Sequence, residues 1–238
     1  MRQLLPTYTE DVDLHEAYRY PVDRPWLRAN MVTSLDGSAV KDGRSGGLGG
    51  PADKEVFGVL RSLCDAVLVG AGTARAEGYR APRAKETDVE RRRQSGQRPA
   101  PVLVLVTRGL DLDPTGDLFT GTERTVVVTS GSAETSARDR LAEVADVVVA
   151  GDDLVDMGAA LDVLRERGLR RVLCEGGPSL LGDLAAAGRL DELCVTIAPQ
   201  LVGGDGPRIL HGPDLELGLR PTLLLEQDGV LLARYAVG

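Results

Sequence analysis

At 238 residues, with 42% hydrophobic and 27% charged side chains, the chain has an ordinary globular composition and room for one large domain or two small ones. A net charge of -8 argues against a general nucleic-acid or anionic-membrane surface, since both need a basic face, so any anionic ligand has to be held in a local pocket. No apolar run reaches membrane-spanning length and no basic-plus-apolar leader is present, which makes the cytoplasm the expected compartment.

Residues 1–24 mix Tyr8, Tyr18 and Tyr20 with acids and prolines and show no clear periodicity. They read as an irregular arm that lies on the body or reaches a partner subunit. From Trp26 to Thr33 the residues suit a strand, and the following Ser34, Leu35, Asp36 and Gly37 place a carboxylate at its end. Asp36 has two readings at this point, a turn aspartate bonding its own backbone or a proton-handling group. The glycine-rich stretch from Lys41 to Gly50 contains Ser45 and reads as a loop able to close over a ligand. Pro51 to Cys64 has helical spacing, with Val56, Phe57, Leu60, Leu63 and Cys64 on one strip and Arg61 off it, where most arginines are solvated.

Asp65 to Val69 is a buried-strand pattern that runs into Gly70, Ala71, Gly72 and Thr73. The junction is similar to the opening of a dinucleotide fingerprint, but Arg75 stands where the third glycine belongs. Arg80 to Pro101 is dense in charge and reads as a solvated excursion. A strand over Pro101–Val106 then delivers Thr107 and Arg108 to its end, and Thr125–Thr129 and Val147–Ala150 are further strands around a helix in Ser132–Val144. Met157, Ala160, Leu161 and Leu164 mark the next helix.

Arg170 to Gly188 condenses the pattern. The strand Val172–Cys174 carries Glu175 at its tip, Gly176 and Gly177 permit close backbone approach, Pro178 suits a first helical turn, and Gly188 a stop. A helix start has unpaired N–H groups and partial positive charge, so this junction is either a phosphate cradle or a plain turn, and the carboxylate beside it favours a ligand crevice. Leu193–Ala198 and Pro221–Val237 follow as strands without an intervening helix, the latter turning at Asp228-Gly229. The whole reads as one α/β domain with mainly parallel strands and an antiparallel end. Cys64, Cys174 and Cys194 sit far apart in apolar runs, as buried thiols with neither disulfide nor metal.

Three segments in order carry a resemblance: MVTSLDG (Met31–Gly37), LRSLCDAVLVGAGTARAEGYR (Leu60–Arg80), and CEGGPSLLGDL with LDELCVTIAPQLVGG (Cys174–Gly204). From residue 25 to the end the chain resembles the pyrimidine reductase family of riboflavin biosynthesis, the C-terminal domain of the bacterial deaminase-reductases, with residues 1–24 outside the match. The resemblance implies a dihydrofolate reductase-like mixed sheet with helices on both faces, a homodimer, and NADPH as hydride donor. It implies reduction of the ribosyl group of 5-amino-6-(5-phosphoribosylamino)uracil, or a related aminopyrimidine, to ribityl.

Carried over by position, Val32, Thr33, Gly70, Gly72, Thr73, Glu77, Thr107, Arg108, Gly176, Gly177, Pro178, Ser179, Leu180 and Leu181 would line the cofactor, with Arg108 beside its 2′-phosphate. Ser45, Arg61, Arg80 and Glu175 would hold the substrate, the arginines as anion clamps, and Asp36 and Glu175 are the strand-end carboxylates available for chemistry. Two departures concern the substrate: Gly47 replaces a tryptophan often found there, and Glu77-Gly78 replaces an acidic pair. The zinc deaminase signature is absent, since His15 and His211 are the only histidines, which leaves a standalone reductase as the expectation. A reductase of dihydrofolate or another pteridine and an NADPH sensor without turnover are the alternatives.

Overall fold

The computed structural model describes all 238 residues. Ten strands form one sheet: β1 (Arg2–Leu5), β2 (Trp26–Ser34), β3 (Ala66–Gly70), β4 (Val102–Val106), β5 (Val126–Thr129), β6 (Asp146–Val149), β7 (Arg171–Cys174), β8 (Glu192–Ala198), β9 (Leu219–Gln227) and β10 (Val230–Val237). Their order is β1-β9-β10-β8-β2-β7-β3-β4-β5-β6. From β8 to β6 all neighbours are parallel, and β10, β9 and β1 continue antiparallel. The expected mixed sheet is therefore present. The β9–β10 hairpin turns at Asp228 and Gly229, with φ of 53° and 81°, as a two-residue turn with both centres left-handed requires.

The helices are α1 (Leu14–Ala17), α2 (Pro51–Leu63), α3 (Ala71–Glu77), α4 (Val89–Gln94), α5 (Thr135–Ala142), α6 (Met157–Glu166) and α7 (Pro178–Ala186). Alternate residues of a strand face opposite sides, and here both sides are covered. Val67, Val69, Leu103 and Leu105 pack with Val56 and Leu60 of α2 and Leu141 of α5. Ala66, Leu68, Val102 and Val104 pack with Ala160 and Leu164 of α6 and Leu181 and Leu184 of α7. This two-sided burial explains why the central strands read as continuous apolar runs. Truncating a fully buried leucine such as Leu68 to alanine should cost about 2–5 kcal/mol. All three cysteines are buried and unpaired, and burial pushes each thiol up to about 12.

Two expectations need correcting. The first 24 residues lie on the body and are irregular only outside two short elements: β1 pairs with β9, α1 follows, and Tyr18 and Tyr20 are buried in the core against Arg28. That arginine is itself buried, ion-paired to Glu192 and donating to the Tyr18 carbonyl at 2.7 Å, so the arm is stitched to the sheet by contacts within this chain. The excursion after Arg80 contains α4, whose Arg92 is fully buried and donates to the carbonyls of Ser62 and Cys64, each at 2.9 Å, and of Arg98 at 2.8 Å. Charge density alone concealed an arginine that closes off exposed helix-end carbonyls. No helix is long and apolar enough to cross a membrane.

Candidate active site

The carboxyl ends of β2, β3, β4 and β7 open onto two cavities. The larger, about 840 Å³, runs between the β3–α3 and β4 ends and the start of α7, lined by Gly70, Gly72, Thr107, Arg108, Ser179 and Leu180 among others. The smaller, about 220 Å³, lies over β2 beneath the 43–46 loop, with Val32, Ser45, Asp53, Glu77 and Glu175 in its wall. Thr73, Gly177 and Pro178 line both, so the two are parts of one bent crevice.

The junction between them is made by close backbone approach. The Gly70 N–H donates to the Gly176 carbonyl at 2.9 Å, and the Glu175 N–H to the Leu68 carbonyl at 2.9 Å. Gly176 has φ of 82° and Gly177 follows through a cis peptide. A Cβ on Gly177 would collide with Thr73 Oγ1, so any other residue there forces the Thr73 hydroxyl to turn away. A Cβ on Gly72 would meet no protein atom within 4 Å, so a side chain there would fill only the crevice. Gly177 caps α7 without a side-chain hydrogen bond, which leaves first-turn N–H groups directed at the larger cavity where the helix dipole favours an anion.

In the smaller cavity Glu175 is the centre of a bonded group. Its side chain is 2% exposed; Arg61 Nε donates to Oε1 at 2.8 Å, and Arg61 Nη2 and the Tyr79 hydroxyl donate to Oε2 at 2.7 and 2.8 Å. The Arg61 guanidinium also stacks over Phe57, 4.3 Å from its centroid. The off-strip arginine of α2 is thus only partly solvated, and the Nε–Nη2 side of its fork is occupied by a buried carboxylate. Burial and that carboxylate act on the Tyr79 hydroxyl in the same direction and raise it far above its ordinary range.

The remaining predicted residues divide clearly. Val32, Gly70, Gly72, Thr73, Thr107, Arg108, Gly177, Pro178, Ser179 and Leu180 line one cavity or both. Ser45 and Glu77 meet in the smaller one, where the Ser45 N–H donates to the Glu77 carboxylate at 2.7 Å. Thr33 and Gly176 stand behind the wall, and Leu181 is core, packed with α6. Arg80 lines neither cavity and pairs with Glu86 at 3.1 Å. The neighbouring Tyr79, one position earlier, is the side chain that reaches inward.

Asp36 also lies outside. Its carboxylate accepts from the Ser34 hydroxyl and from the N–H groups of Val202 and Gly203, the last at 2.7 Å, and these bonds hold its carboxyl at about 2. It is a turn carboxylate that ties the end of β2 to the 202–203 loop, and at neutral pH it has no proton to give. Asn30, Met31, Asp53, Phe57 and Pro207 line the smaller cavity without having been expected. Asp53 carries the weakest signal of these, because an acid in the first turn of a helix needs no reason beyond the helix dipole.

The model of the RibD C-terminal domain matches residues 25–230. A protein of Methanothermobacter thermautotrophicus named 2,5-diamino-6-ribosylamino-4(3H)-pyrimidinone 5′-phosphate reductase is 32% identical over 225 residues, covering 90% of this chain and 99% of that one. Its namesake from Archaeoglobus fulgidus is 30% identical over 191 residues, covering 79% and 87%. Among solved structures, a pyrimidine reductase-like protein of Corynebacterium diphtheriae superposes with a TM-score of 0.83 at 27% identity, over 95% of this chain and 99% of that one. By the extent of that match and by these relatives, the chain belongs to the RibD C-terminal domain family of riboflavin-biosynthesis reductases.

Proposed function

We propose that this protein reduces the ribosylamino side chain of a 5′-phosphorylated ribosylaminopyrimidine to the ribitylamino form, using NADPH. The observation that carries the reading is the bent crevice: a long groove at a helix start, continuous at Thr73, Gly177 and Pro178 with a smaller acid-lined cavity. The groove suits an extended dinucleotide and the cavity a compact polar ring. The names of the archaeal relatives supply the substrate class.

In this reading the first-turn N–H groups of α7 and the glycines of the β3–α3 turn would hold the pyrophosphate. Arg108 at the β4 end would bind the 2′-phosphate, and Gly177 and Pro178, which line both cavities, would hold the nicotinamide. When bound, the dihydronicotinamide supplies the hydride for C1′ of the opened ribosylamine. The chain's own groups do the rest. Glu175, held rigid by Arg61 and Tyr79, fixes one edge of the substrate, and the Ser45 loop, latched by Glu77, covers the cavity and excludes water. Arg61 is committed to Glu175, so Arg80, tied only to the surface carboxylate of Glu86, is the cation left for the substrate phosphate, with Ser45 at the mouth of the cavity. A homodimer working in the cytoplasm belongs to the same proposal.

The test is loss of dihydronicotinamide absorbance with the purified protein and, side by side, the 2,5-diaminopyrimidinone ribosylamine 5′-phosphate, its deaminated uracil counterpart, and dihydrofolate. Turnover of a ribosylamine and none of dihydrofolate supports the reading. Turnover of dihydrofolate, or tight NADPH binding with no turnover at all, replaces it by one of the alternatives.

A further inference from the structure

The proposed reduction consumes one proton, and the Tyr79 hydroxyl, which lines the smaller cavity, already spends its proton on Glu175. Three acids line that cavity. Both oxygens of Glu175 accept from cationic or hydroxyl donors, and Glu77 accepts from the Ser45 amide; these are bonds made to an ionised carboxylate. Asp53, the third residue of α2, is different. Its Oδ1 accepts from the Thr196 hydroxyl at 2.7 Å, and Oδ2 takes no hydrogen bond from the protein. Thr196 is register partner of Val32 across β8 and β2, so Asp53 stands over the strand whose side chains floor the cavity.

We propose that Asp53 is the general acid of the reduction: the proton on Oδ2 passes to the ring oxygen O4′ of the substrate ribosylamine. As that proton arrives the C1′–O4′ bond breaks, its electron pair remains on oxygen as the new 4′ hydroxyl, and the amine nitrogen's lone pair forms a C1′–N double bond. C1′ then gains a hydride, which carries its own electron pair, from the dihydronicotinamide; the C1′–N π pair returns to nitrogen and the nicotinamide is left oxidised. One proton is consumed in each turnover, and Asp53 regains it from solvent. The inference rests on the reading of the function above and adds to it the identity of the acid.

The surroundings disfavour ionisation of this carboxyl. Burial raises the Asp53 carboxyl above its ordinary range, and it outweighs the opposing effects of the Thr196 hydroxyl and of the Lys54 charge on the same helix. Across the cavity, α3 presents Glu77, and the β7–α7 junction presents Glu175 with its charge matched by Arg61 and capped by Tyr79. From the covering loop, Lys41 is engaged by Gln200. No guanidinium or ammonium other than Lys54 therefore acts to ionise Asp53.

Asp53→Asn keeps the shape and the Thr196 contact and removes the proton. With the ribosylamine phosphate that the wild type turns over, the expected result is a fall in kcat of roughly a hundredfold or more, with NADPH affinity by fluorescence titration changed less than twofold. The wild-type decline of kcat toward high pH should be absent in Asp53→Asn and displaced in Asp53→Glu, which recovers part of the rate. A second readout needs no substrate. Because the folded carboxyl titrates above its unfolded value, stability is lost as pH rises through it, so the denaturant midpoint of Asp53→Asn should exceed the wild type's at pH 7, with the gap closing near pH 4. Retention of kcat within threefold, or an unchanged high-pH limb, overturns the assignment, as does a stability gap of the opposite sign. If the wild type turns over no ribosylamine, the functional reading has failed, and the apo stability comparison still tells whether Asp53 holds its proton.

Discussion

Replacing Arg61 by alanine separates the structural reading of this residue from the anion clamp that the family pattern assigns to it. The substitution removes both guanidinium bonds to Glu175, whose side chain is 2% exposed, and leaves the Tyr79 hydroxyl as its only donor. Removing one member of a buried pair costs about 3–5 kcal/mol, because the remaining charge stays desolvated. Arg61 is itself 30% exposed and the cavity beside Glu175 can admit water, so the lower end, about 3 kcal/mol, applies here. That is roughly a hundredfold in the folding equilibrium, a large share of the stability of an ordinary domain. Urea unfolding should therefore show a lower midpoint for Arg61→Ala, and kcat/KM should fall for phosphorylated and dephosphorylated ribosylamine alike. Arg61→Met combined with Glu175→Gln removes both charges and should recover most of the stability. An unmoved unfolding midpoint, with a KM increase confined to the phosphorylated substrate, would refute the ion-pair account and restore the clamp.

Three further outcomes follow from the geometry. Gly177→Ala drives a methyl group into Thr73 Oγ1, so thermal stability and NADPH affinity should both fall, by about 1–3 kcal/mol in stability, and Thr73→Ala in the same chain should restore part of the fold; a single variant of wild-type stability contradicts the close approach. Arg108→Ala should weaken NADPH binding more than NADH binding in parallel titrations, and equal losses would remove Arg108 from the 2′-phosphate. Asp36→Asn should leave the pH profile of kcat unchanged above pH 4. Since its folded carboxyl titrates at about 2, below the ordinary value near 4, its contribution to stability is present above the ordinary value and is lost on acidification through the folded one, so the variant should lose less stability than the wild type over that interval.

What could be read from the chain follows what is local. Helix spacing located α2, α6 and α7, apolar runs located the central strands, and Asp228-Gly229 located the hairpin, because each signal lies within a few residues of the feature it produces. The glycine junctions were readable for the same reason, and family position supplied most of the crevice wall. The errors came where one residue type serves two purposes. Asp36 left two readings open in the sequence, a turn or a proton-handling group, and the N–H groups of Val202 and Gly203 favour the turn. Arg92 in a run of charges looked solvated, and only the C-terminal end of α2 brought against it shows why it is buried.

The amino-acid order was sufficient for the layers of the sheet, the two strand-glycine-helix junctions and the family, because periodicity and backbone permissiveness are encoded residue by residue. The tertiary structure alone assigned partners: Arg61 to Glu175 across 114 residues, Tyr79 to Glu175 across 96, and Thr196 to Asp53 across 143. A carboxylate acts as an anchor or as an acid according to which donors surround it, and donors brought from so far along the chain leave no trace in its local pattern.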